Sequence, residues 1–92
     1  MKDRNGNTVK IGDLVRVLEI YDGFLQPLPE DERILHEAML DNIYAIDDIV
    51  EDGTKASVSF EHKTSEGIYF GGLYMLPHEF ILVKSSESNQ HT

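Results

Sequence analysis

Apolar residues in this chain alternate with polar ones far more often than they recur every three or four positions. The clearest case is residues 54–62, where Ala56, Val58 and Phe60 alternate with Ser57, Ser59 and Glu61. That is the pattern of a strand with one buried face. Four further segments read as strands. In Asp13–Ile20, Val15 and Val17 alternate with Leu14, Arg16 and Leu18, so both faces carry apolar weight. In Ile43–Val50, Tyr44 and Ile46 share a face, and the slip at Asp47-Asp48 predicts a bulge before Ile49. Ile68–Met75 is interrupted by Gly71-Gly72, which predicts a bulge or sharp coil, and its neighbours Tyr69 and Phe70 must face opposite sides. Phe80–Val83 is the short last strand.

Turn signals separate these segments: Asn5-Gly6-Asn7 and Gly12-Asp13 before the first strand, Asp52-Gly53 closing a hairpin, KTSEG closing the next. Only one stretch has helical spacing. Ile34, Leu35, Ala38 and Met39 recur at three- and four-residue intervals, which predicts one apolar helix face. Pro29 suits the first turn, Glu30, Asp31 and Glu32 suit the positive end of the dipole, and Asn42 suits a left-handed stop. Leu76–Glu79 reads as a single helical turn. The order is strand, long loop with helix, three-strand meander, helical turn, strand. It predicts a mainly β fold, a small five-stranded SH3-like barrel with one short α-helix inserted between strands one and two. Strands this short and kinked coil enough to close on themselves, and the helix would plug one end. Residues 1–84 form the single domain, and the apolar-free tail 85–92 is expected to be disordered.

At 92 residues the chain is one domain with a thin core, burying about 60–65% of its unfolded surface. It has no cysteine, which removes disulfides and thiolate metal sites and suits a reducing cytoplasm. No apolar stretch is long enough to span a membrane, and the polar start MKDRNGN lacks a signal-peptide core. The expectation is therefore cytoplasmic, with no membrane partner. Charge changes the picture more: eight Lys and Arg stand against seventeen Asp and Glu, a formal net charge of −9. Such a surface keeps a domain soluble and monomeric and repels phosphate backbones. Lys2, Arg4, Lys10 and Arg16 are the one sequence-local basic group, the only candidate edge for RNA.

Chemistry-bearing patterns are sparse. His36, His62, His78 and His91 share no metal-ligand spacing, and His36 and His62 are expected exposed or partly packed; no metal or cofactor is implied. Set on a calcium loop, DDIVEDG puts Val50 where an oxygen is needed and Ser59 where the bidentate glutamate belongs. No lysine follows Gly71-Gly72 as a phosphate-binding loop requires. No serine stands in a nucleophile motif. The expectation is a non-enzyme with no catalytic residues.

DRNGNTVKIGDLVRV, LPEDE and LPHEFILV together resemble a family of small uncharacterised bacterial proteins with an SH3-like fold, over about residues 3–83. NGNTVKIGDLV alone is also similar to the start of YopX-type phage proteins and of KOW or Tudor-like barrels. The resemblance implies a fold and no activity. KOW modules that bind RNA carry basic loops, from which this acidic chain departs. SH3-like barrels present ligands to an aromatic groove beside the loop after strand one. Here that groove would comprise Tyr21, Phe24 and Tyr44, flanked by Asp22, Asp47 and Asp48. It would suit a basic or proline-rich segment of a protein partner. The competing expectation is a phage-like regulator that touches nucleic acid or imitates it.

Overall fold

A computed structural model describes residues 1–86. The fold is mainly β, with six strands in two three-stranded antiparallel sheets rather than five in one closed barrel. Strand β1 (Leu14–Val17) lies between β2 (Ile43–Ala45) and β6 (Phe80–Lys84). Strands β3 (Asp48–Val50), β4 (Lys55–Thr64) and β5 (Gly67–Met75) form the second sheet as a meander.

The extra strand comes from a break in the expected second one, at Ile46-Asp47. Ile46 still belongs to the first ladder: its N–H donates to Asp13 O and its carbonyl accepts from the Gly12 N–H. One residue later the Asp47 N–H donates to Ser57 O at 2.9 Å, and Asp48 is Ser57's register partner. Two residues oppose one, the count that defines a bulge, and it turns the chain from one sheet into the other. Strand pairing does not close the opposite seam: β5 pairs with β4, and β6 pairs with β1. The outer edge of β6 is instead covered by the N-terminal segment. The Arg4 N–H donates to Phe80 O, and the Leu82 N–H donates to the Asp3 carboxylate.

Between the sheets sits the core. Val15 and Val17 of β1 meet the cross-strand pairs Ala56/Met75 and Val58/Leu73, with Ile46, Phe80, Val9 and Met39 completing it. Ala56 and Val58, which alternation put on one face of β4, lie in this core, and Phe60 packs against it. The break expected at Gly71-Gly72 is absent. Register runs without slip from Thr64↔Gly67 to Ala56↔Met75, because the Phe60 ring lies across Gly71, where a Cβ would stand 2.5 Å from it.

The connection after β1 holds two short helices, α1 (Asp22–Leu25) and α2 (Glu30–Glu37), where one was expected. Pro29 is the cap of α2 rather than its first residue, and its carbonyl accepts from the Arg33 N–H. The buried face of α2 also differs from the apolar spacing. Ile34 is 55% exposed, while His36 is buried at 3%. An eight-residue helix ends before Ala38, so Met39 enters the core from the following turn and no longer fixes which helix face points inward. Asp41 (φ 64°), not Asn42, takes the left-handed position. The Asn42 amide instead donates to Ala38 O at 2.6 Å. After β6, the Ser86 N–H donates to Asp13 Oδ1 at 2.8 Å; the remainder of the tail expected to be disordered, 87–92, lies outside the described residues. Among the described residues no helix is long and apolar enough to cross a membrane.

Candidate functional site

The β4–β5 hairpin is longer than the core needs. Its half nearest the turns between sheets covers the core; the other half extends over the helical connection. There Phe60 and Tyr69, on the inward face, both meet His36. The imidazole meets Phe24, Phe60 and Tyr69 edge to face, with ring centroids 5.2, 5.3 and 6.3 Å away. Its Nδ1 lies 2.7 Å from Glu32 O, which gives the buried ring a polar partner. The Tyr69 hydroxyl donates to Glu32 Oε1 at 2.9 Å. Burial pushes the Tyr69 phenol above its ordinary value, and the Glu32 hydrogen bond and the Glu32 and Asp31 charges push it further. Helix α2 thus claims Tyr69, so alternation turns Phe70 to the outside.

The outer face of β3–β4–β5 is read directly from the register. Cross-strand neighbours share a face, so one row runs Asp48–Ser57–Tyr74, the next is Ser59–Gly72, and the third is Glu61–Phe70. Tyr74 is 65% exposed and Phe70 66%. Between them Gly72 and Ser59 form the floor of an open groove of about 670 Å³. The floor is held low by the backbone: a Cβ on Gly72 would stand 2.8 Å from Val58 O. Ser59 Oγ donates to Asp47, which places that carboxylate at the far end of the floor. None of Asp47, Asp48 and Glu61 forms an ion pair among the described residues. Lys63, paired with Ile68 nearer the hairpin tip, is a cation on the same face, while Lys55 is bound to Glu51.

The six residues expected to share a site are distributed over three places. Tyr21 (70% exposed) caps α1, with its ring over Gly23. Asp22 opens that helix and accepts from the Gln26 amide at 2.6 Å, and Phe24 packs on His36. Tyr44, on β2 opposite Val15, packs against the core, where burial raises its phenol above the ordinary value. Asp47 and Asp48 lie on the outer face just described. A crevice of about 20 Å³ beside Tyr21 and Phe24 is lined by Ile20, Glu79 and Tyr74, without Tyr44, Asp47 or Asp48. Tyr74, with Leu73, adjoins both the α1 aromatics and the outer groove.

No family model, curated protein or solved structure matches the chain. Sequence reasoning did not gather Phe70, Tyr74, Gly72, Ser59 and Glu61 into one site, although period-two alternation already put Phe70, Gly72 and Tyr74 on one side of one strand. Three of the four basic residues near the N-terminus have partners. Arg4 is bound to Glu19 and donates to His78 O, Arg16 donates to Asp41 O at 3.3 Å, and the Lys10 charge acts on Asp13.

Proposed function

We propose that this chain is a non-catalytic binding module, SH3-like in arrangement, that takes an extended basic segment of a protein partner on the outer face of β3–β4–β5. The observation that carries the reading is the exposure of Phe70 and Tyr74 on either side of a small-residue floor, with Glu61 in the lining, Asp47 bound to Ser59 and Asp48 beside Ser57. Rings this exposed on a sheet face add only a modest cross-strand contribution to folding, and aromatic faces beside unpaired carboxylates attract cations. The SH3-like arrangement is supported by the strand order. A kinked second strand serves both sheets, and after a 3₁₀ turn (Pro77–Glu79) the last strand returns beside the first. A monomer acting in the cytoplasm is consistent with the acidity and the lack of cysteine.

The test is isothermal titration with Lys- and Arg-rich unstructured peptides at low and high salt, on the wild type and on Phe70→Ala/Tyr74→Ala. The reading expects binding that weakens with salt and is lost in the double variant. Salt-independent binding, or binding untouched by the double variant, overturns it. Release of DNA from a basic DNA-binding protein without any peptide binding would favour the nucleic-acid-imitating regulator instead.

A further inference from the structure

Resting on that reading, the geometry points to a specific ligand group for the floor of the groove: we infer that the Gly72–Ser59–Asp47 slot is a recognition subsite for one arginine side chain of the partner. The slot runs across the strands rather than along them. From Gly72 past Ser59 to Asp47 is two strand spacings, about 10 Å. That length matches a long unbranched side chain lying flat, with its head at the carboxylate. The walls are Tyr74 with Ser57 on one side and Phe70 with Glu61 on the other. Neighbouring positions on a strand face are about 7 Å apart, so each ring stands one position from the floor and can cover an aliphatic stem.

Three features select arginine among long side chains. Aromatic faces bound a planar guanidinium better than a compact, strongly hydrated ammonium. Asp47 at the end and Glu61 at the side offer acceptors in two directions, which a five-donor fork can meet together. The bare Gly72 backbone, where a Cβ would stand 2.8 Å from Val58 O, leaves the floor free for a long stem to lie flat. Lys63 beyond Glu61 keeps a second cation from extending the site toward the hairpin tip.

The experiment is an amide-resolved NMR titration of the full chain with three nine-residue Gly/Ser peptides, identical except for a central arginine, lysine or citrulline. The inference expects the arginine peptide to shift the Asp47, Ser59, Gly71 and Gly72 amides saturably. Lysine should bind several-fold more weakly and citrulline at least tenfold more weakly, and Asp47→Asn should remove most of the difference between arginine and citrulline. Tyr74→Ala serves as a second variant that leaves the carboxylates in place, and it too should weaken arginine binding several-fold. Equal binding of arginine and citrulline at these amides overturns the arginine subsite while leaving the wider binding face standing. Shifts confined to other surfaces, or none with any peptide, overturn both.

Discussion

Asp3 is a carboxylate buried at 3% exposure that ties the N-terminal turn to the last strand, and its removal can be worked through bond by bond. It accepts from the Asn5 N–H (3.0 Å), the Asn7 N–H (2.8 Å), the Asn7 side-chain amide (3.1 Å) and, across the chain, the Leu82 N–H (2.6 Å). In Asp3→Ala the two turn N–H groups can turn to water, losing about 1 kcal/mol each. The Leu82 N–H lies under the N-terminal segment on the edge of β6 and loses a charged acceptor, about 1.5–3 kcal/mol. The exposed Asn7 amide adds little. The sum is about 4 kcal/mol, a large share of the roughly 5–14 kcal/mol expected for a domain of this size. Asp3→Asn keeps one acceptor oxygen and should cost about half as much. Burial alone would raise the Asp3 carboxyl, but the four hydrogen bonds, Leu82 foremost, outweigh it and hold it below its ordinary 3.8. A carboxyl depressed in the folded state contributes stability that is present above its unfolded value and lost as pH falls through the folded one. Urea unfolding at pH 7 and at steps from pH 5 to 2.5 measures both effects. The wild type should lose stability on the acid side, and Asp3→Asn should lose less over the same window. An Asp3→Ala variant within about 0.5 kcal/mol of wild type, the range of an ordinary surface change, would refute the reasoning.

Other consequences are as direct. His36→Ala should cost about 2–4 kcal/mol by opening a cavity among three rings and should weaken the near-ultraviolet circular dichroism; an exposed histidine would cost almost nothing. In alkaline spectrophotometric titration, Tyr69→Phe should remove a component ionising above the ordinary 10.0. Because the folded value is raised, that phenol's stabilising contribution is lost as pH climbs from the unfolded to the folded value. Gly72→Ala should destabilise by about 1–3 kcal/mol in thermal or urea unfolding, since Val58 O is backbone and cannot swing aside.

The strands were legible because their burial has period two: Val15, Val17, Ala56 and Val58 all point inward as their spacing requires. Closure was not legible. Whether two sheets zip along a second seam depends on which strand ends come within bonding distance, and alternation within each strand carries no such information. The bulge at Asp47-Asp48 was visible as a slip in the pattern, yet its effect, handing one strand from sheet to sheet, needed the Ser57 partnership. The helix face went wrong because an eight-residue helix offers too few apolar positions to outvote tertiary contacts. His36 is buried by aromatic neighbours from residues 24, 60 and 69, which no local window contains. The positions of the six candidate residues were hard to read for the same reason. Tyr21, Phe24 and Tyr44 were grouped by analogy of position, whereas the exposed pair Phe70 and Tyr74 follows only once α2 is known to cover Tyr69.

The central claim is that Phe70 and Tyr74 serve a partner and not the fold. Its most direct test measures folding free energy and basic-peptide affinity on one variant, Phe70→Ser/Tyr74→Ser. Stability within about 1 kcal/mol of wild type together with loss of peptide binding is the predicted result. A variant that is several kcal/mol less stable yet binds the peptide like wild type would contradict it.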